Sequence, residues 1–151
     1  MARFLPRLAE ALFLSAKSLI AWQVLGANAL VLDAGGRVLL VRHRYQSGWR
    51  LPGGGVDPGE TPLTCLRREL TEELGLESGR YVLAGIYTRR LFWLGHTVVL
   101  YRIEGITGKL APNWEISQTL WADPSNPPAG LSPATARRLA ELGGAPATDR
   151  W

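Results

Sequence analysis

The chain has 151 residues, 46% of them hydrophobic, with six tryptophans and a formal net charge of +4 at pH 7. That is enough chain for one domain with a real core, and too apolar a composition for a disordered protein. A single cysteine, Cys65, and two histidines exclude an internal disulfide and argue against a structural zinc site, so a reducing, cytoplasmic setting is expected.

In residues 1–22, Leu5, Leu8, Ala9, Leu12, Ala16, Leu19 and Ile20 recur at helical spacing, with Arg7, Glu10 and Lys17 on the other side. This pattern predicts an N-terminal amphipathic helix packed on the domain. A helix resting on an acidic membrane surface or a partner is the alternative, and a cleaved signal is the least favoured reading. Glu10 and Lys17 leave no uncharged stretch long enough for a membrane span.

The domain itself is expected over residues 23–143. Residues 23–33 and 37–43 are apolar, β-branched runs joined by Asp33, Ala34, Gly35 and Gly36, a sequence that reads as a hairpin turn. Trp49–Leu51 is a short extended piece entering the glycine loop Gly53, Gly54, Gly55. A helix then opens with Thr61 as cap and Pro62 at its first position, and ends at Gly75. Tyr81–Thr88 and Thr97–Glu104 predict two strands joined by a loop through Phe92 and Trp93, and Thr119–Ala122 a last short strand. Ser132 and Pro133 open a final helix to about Leu142, and residues 144–151 are expected to fray. No internal repeat and no second domain stand out.

The middle helix carries the chemistry. At ~100° per residue, Leu63, Leu66, Leu70 and Leu74 fall within about 80° and form a buried stripe. Glu69, Glu72 and Glu73 occupy the neighbouring arc, so three carboxylates face one small volume beside the core. Like charges at i,i+3 and i,i+4 destabilise a helix, and a solvated acidic face is the simplest account of them. The arc borders the buried stripe and follows a glycine loop, which favours a hard divalent cation such as Mg²⁺ or Mn²⁺ and, with it, a phosphorylated substrate.

Gly54, Glu60 and the run Arg68-Glu69-Leu70-Thr71-Glu72-Glu73-Leu74-Gly75-Leu76 resemble a complete Nudix box over Gly54–Leu76. The resemblance implies an α/β fold, an α/β/α sandwich with a mixed β-sheet. It also implies hydrolysis of a nucleoside diphosphate linked to another group. By this match Glu69, Glu72 and Glu73 hold the metal, Glu60 and Arg68 form a supporting ion pair, and Gly54 gives the tight turn. The general base stays open among Glu69, Glu72 and Glu115, an acidic residue six positions before Trp121.

Substrate contacts are read from residue type alone. Arg42, Arg44 and Arg50 are candidates for phosphate, and Tyr45, Trp49, Phe92 and Trp93 for base stacking. Solvated arginines and core aromatics explain them equally well. His43 and His96 read as structural, and Cys65 as a packing residue. The leading expectation is a metal-dependent pyrophosphohydrolase acting on a nucleotide or nucleoside diphosphate derivative. Pyrophosphate removal from RNA 5′ ends and a non-catalytic nucleotide-binding module are the alternatives, and a homodimer is compatible with each.

Overall fold

The computed structural model describes residues 23–91 and 93–151. The expected amphipathic helix of residues 1–22 and the residue Phe92 lie outside the described residues. The elements in chain order are β1 (Gln23–Val31), β2 (Val38–His43), β3 (Gly53–Gly55), α1 (Pro62–Leu74), β4 (Arg80–Leu91), β5 (Leu94–Glu104), β6 (Ile116–Ala122) and α2 (Pro133–Leu142).

Four strands form a mixed sheet in the order β3-β1-β5-β4, and β2 and β6 pair antiparallel beside it. β1 and β5 run parallel, from Gln23 opposite Gly95 to Val31 opposite Ile103. β3 and β4 are antiparallel to their neighbours. The turn after β1 closes as its sequence predicts, with Asp33 N–H donating to the Arg37 carbonyl at 3.0 Å. The hairpin does not continue, however. Beyond the single bridge from Leu32 to Val38, β1 turns to β3 and β5 while β2 pairs with β6.

Strand alternation builds the layers. Ala27, Ala29, Val31, Leu39 and Val41 turn one way and pack with Cys65, Leu66, Leu70 and Leu74 of α1. Leu30, Leu32, Val38 and Leu40 turn the other way and pack with Leu139 of α2. Each buried leucine contributes about 1.5–3 kcal/mol. A helix therefore covers each face, and the chain is an α/β fold with a mixed sheet.

α1 is fixed locally. The Thr61 hydroxyl accepts from Thr64 N–H, Pro62 stands in the first turn, and Gly75 takes φ 69° as the left-handed cap. Leu63 is only partly buried, and Cys65 fills the inner face in its place. β4 and β5 pair as far as Leu91 opposite Leu94, so both strands extend further than the loop expectation allowed. The glycine run pairs with β1 as strand β3, and Trp49 and Arg50 make isolated bridges to Leu131 and Val41.

The end of the described chain is docked, contrary to the expectation of fraying. Thr88 N–H donates to the Asp149 carbonyl at 2.8 Å, and Trp151 N–H donates to the Thr88 carbonyl at 2.9 Å. The Trp151 ring packs on Tyr87 at 5.8 Å between centroids. Arg138, 1% exposed, lies 3.7 Å from the Tyr87 centroid and donates to the Thr148 hydroxyl and the Arg150 carbonyl. The reason is the open edge of β4, whose unpaired backbone groups accept another extended segment. No helix among the described residues is long and apolar enough to cross a membrane.

Candidate active site

The site is assembled where β3 crosses α1. A Cβ on Gly53, at φ +134°, would stand 2.1 Å from the Ala27 carbonyl oxygen, so only glycine lets β3 lie this close to β1. A Cβ on Gly54 would stand 2.4 Å from Glu69 Oε1. The missing side chain is the space that the Glu69 carboxylate occupies.

Arg68 ties the loop to the helix. Its Nε and Nη2 donate to the two oxygens of Glu60 at 3.1 and 3.0 Å, a bidentate fork. Its Nη1 donates to Glu69 Oε1 at 2.8 Å and reaches Glu72 Oε2 at 3.5 Å. The bond from Arg68 holds the Glu60 carboxyl below the usual carboxylate range. Asp57 N–H adds a further bond to Glu60.

The three glutamates of the acidic arc differ sharply in setting. Glu72 is largely exposed, its side chain at 60%. Glu69 is half-buried, and burial followed by the neighbouring charge of Glu73 pushes its pKa up, against the pull of Arg68. Glu73 is 6% exposed, with Oε1 at 3.4 Å from His43 Nε2 and a buried Oε2 that has no partner among the described residues. An uncompensated buried carboxylate oxygen costs several kcal/mol.

That orphaned oxygen and the hard oxygen donors beside it fit a divalent cation. Among the described residues no three such groups yet converge on one point. The reason is visible in the ion pairs: Glu69 and Glu72 lean on Arg68, so a cation would compete with the guanidinium for them.

A cavity of about 420 Å³ opens over the carboxylates, with Glu69, Glu73 and Glu115 in its wall. Glu115 is held by Tyr45, whose hydroxyl donates to Oε2 at 3.0 Å. Burial and then this carboxylate raise the Tyr45 phenol to about 12, so it remains a donor at neutral pH. From β3 the floor runs across the sheet through Gly26 and Asn28 of β1 and His96 of β5 to Arg89 of β4, with Arg50 and Trp151 at the margin.

The substrate contacts expected from the sequence divide on this geometry. Tyr45 and Arg50 line the cavity, whereas Arg42, Arg44, Trp49 and Trp93 do not. Trp49 is a core residue with the Arg42 guanidinium 4.5 Å over its ring, so neither offers a free face to a ligand there. Arg44 donates to the Trp114 carbonyl. Trp93 stands 73% exposed at the β4–β5 turn, away from the cavity wall.

Two histidines that the sequence offers only as structural residues also stand in the wall. His43 touches Glu73, and His96 accepts at Nδ1 from Arg89 Nε at 2.8 Å. Burial and the Arg89 charge lower the His96 pKa, leaving a neutral ring with its proton on Nε2, a donor. Cys65 is inert: burial, then the charges of Glu60 and Glu69, push its thiol up to about 12, and its Sγ donates to the Gly55 carbonyl.

The family model for the NUDIX domain matches residues 22–142. A Bacillus subtilis (strain 168) protein, provisionally named an 8-oxo-dGTP diphosphatase, is 31% identical over 114 residues, 76% of each chain. An RNA pyrophosphohydrolase of Halorhodospira halophila is 45% identical over 65 residues, 43% of this chain and 34% of that protein. The crystal structure of a MutT NUDIX hydrolase from Burkholderia pseudomallei superposes with a TM-score of 0.72 at 24% identity, covering 80% of this chain and 98% of that one. The solution structure of the E. coli ORF135 protein follows at 0.67 and 25%, covering 85% and 97%. With the box, the sheet order and the carboxylate helix in place, the chain belongs to the Nudix hydrolase family. It is an enzyme, a Nudix-type hydrolase.

Proposed function

We propose that the protein hydrolyses the pyrophosphate linkage of a nucleoside di- or triphosphate, or of a nucleoside diphosphate joined to another moiety. In this reading Glu69, Glu72 and Glu73 hold Mg²⁺ or Mn²⁺. The observation that carries it is the buried, partnerless Oε2 of Glu73 beside a Glu69 whose carboxylate fills the space over Gly54. A divalent cation bound there neutralises phosphate oxygens and lowers the pKa of an attacking water.

The residues of the chain divide the remaining work. Glu69 and Glu115 both face the cavity, and either takes the proton of the attacking water. Tyr45 fixes the orientation of Glu115, and Arg68 that of Glu69. A new P–O bond forms to the water oxygen as the bridging P–O bond opposite it breaks. Arg50, with Nε buried and unpartnered, is placed to bind a phosphate oxygen. Arg68 acts at one remove, holding Glu60, Glu69 and the glycine strand in register.

The test is a panel of nucleoside di- and triphosphates, nucleotide sugars and dinucleoside polyphosphates with Mg²⁺ or Mn²⁺, products resolved by chromatography. Metal-dependent cleavage that Glu73→Gln abolishes supports the reading. Metal binding without turnover of any member would turn it toward a nucleotide-binding module.

A further inference from the structure

Strand alternation turns Leu39, Val41 and His43 of β2 to the same side. The first two share the core with Leu66 and Leu70 of α1, and the third reaches Glu73 further along that helix. His43 is 8% exposed. An ionised carboxylate only accepts, so His43 Nε2 carries the proton and donates to Glu73 Oε1. That leaves His43 Nδ1 buried, with no partner among the described residues. A third aliphatic side chain would complete the row without this cost, so packing is not what the histidine serves.

From His43 the chain runs directly to Glu115. The His43 ring is tilted against Tyr45 at 5.5 Å between centroids, and the Tyr45 hydroxyl holds Glu115 Oε2. Between them Arg44 N–H donates to the Glu115 carbonyl at 2.9 Å. A second route joins the same two glutamates through Asn113. Its N–H donates to the Glu73 carbonyl at 2.8 Å, and its Oδ1 accepts from Glu115 N–H at 2.9 Å. The two routes close a ring, by side chains through His43 and Tyr45 and by backbone groups through Asn113. A loop that only connected β5 to β6 would need no bond to α1.

A ring of contacts does what a single bond cannot. One hydrogen bond leaves a glutamate free to pivot, whereas anchors at both its backbone and its carboxylate fix where the oxygens stand. Such placement matters in a site of this kind, because a shift of about 1 Å costs on the order of 100-fold in rate. Groups that orient a metal-holding side chain from behind are worth about 10- to 100-fold in metal affinity.

We infer that His43, Tyr45 and Asn113 form a positioning frame that holds the Glu115 carboxylate at a fixed place relative to Glu73. This rests on the proposed function, which it deepens by giving His43 and Asn113 a part in the same site. In this role the three residues act through the two glutamates and not on the reacting atoms.

Mn²⁺ affinity, read by electron paramagnetic resonance of the free ion without substrate, separates the frame from turnover. His43→Phe keeps a ring against Tyr45 and removes the donor to Glu73, so Mn²⁺ should bind about 10-fold more weakly. His43→Gln returns an N–H donor near the position of Nε2 and should recover most of that affinity. Tyr45→Phe opens the ring at the Glu115 carboxylate, and kcat should fall about 10-fold with KM little changed. Asn113→Ala, which takes the acceptor from Glu115 N–H, should act the same way. His43→Phe and Tyr45→Phe combined should lower kcat by less than the product of their separate effects, since each opens the same ring. Melting temperature reports that every variant is folded. Wild-type Mn²⁺ affinity in folded His43→Phe, a His43→Gln variant no better than His43→Phe, or effects on kcat that simply multiply would overturn the frame. Unmoved affinity with turnover intact sinks the frame alone, and shifted affinity with no turnover of any substrate sinks the hydrolase reading alone.

Discussion

Glu73 concentrates the electrostatic problem of the site into one side chain. Its inner oxygen is buried without a donor, and Glu73→Gln keeps the shape while removing the charge. Turnover is expected to fall at least about 100-fold, from several kcal/mol of lost charge stabilisation. The melting temperature of the metal-free variant should match or exceed that of the wild type. Wild-type turnover would remove Glu73 from the site. Gly54→Ala tests the neighbouring contact. A Cβ there would stand 2.4 Å from Glu69 Oε1, so the carboxylate must move, and kcat should drop about 10- to 100-fold with the fold intact. An unchanged kcat would mean that the position of Glu69 is immaterial. At this scale the sequence was informative about the acidic residues, because helical spacing fixes which side chains share an arc. It took His96 as structural and did not bring Arg89 or Trp151 to the site, because the first two enter the cavity through the pairing of β4 with β5 and Trp151 through the docked terminal segment.

α1 is the element where sequence and structure agree most closely, since its caps and its period are local. β3 is the opposite case. Three glycines have no side chains to alternate, so nothing marks them as a strand until β1 supplies the partner. Between these two elements stands the Arg68–Glu60 fork, and its pH dependence has a definite sign. Glu60 has its folded pKa depressed by Arg68, so its stabilisation is present above the ordinary carboxylate pKa and is lost as pH falls through the lower, folded value. Glu69 has its folded pKa raised, so the cost of its charge is full above that raised value. The metal-free protein gains stability as pH falls through it toward the ordinary range. Thermal melts should therefore show a maximum on the acidic side of neutrality that saturating Mg²⁺ flattens. A melting temperature that rises steadily from acid to neutral pH without metal would contradict this. Arg68→Ala should lower the melting temperature at pH 7 and blunt the acid-side fall, because Glu60 then has no fork to lose. An acid limb identical to that of the wild type would show the pair contributes nothing to it.

Over the whole molecule the docked terminal segment is the largest departure from the sequence reading. Its composition, GGAPATDRW, resembles a loose tail, and no local pattern announces that Arg138 will bury its guanidinium against Tyr87 and hold Thr148 and Arg150. Arg138→Ala removes that fastening and leaves Glu141 without its ion pair, which should cost about 3 kcal/mol and release the Trp151 wall. Chemical denaturation would measure the loss, and protease cleavage near residue 148 would report the release. A variant as stable as the wild type, and as resistant there, would show that the segment is held by its backbone bonds alone.

The parallel pairing of β1 with β5 joins Gln23 to Gly95, and β2 meets β6 as Val38 opposite Ala122. Contacts that far apart in the chain close late and slowly. During synthesis, at about 5–20 residues per second, α1 leaves the ribosome seconds before the strand that completes the floor over its carboxylates. A nascent chain arrested short of β5 would thus display Glu69, Glu72 and Glu73 on a helix with no assembled cleft. The cleft around these carboxylates is among the last things this protein makes.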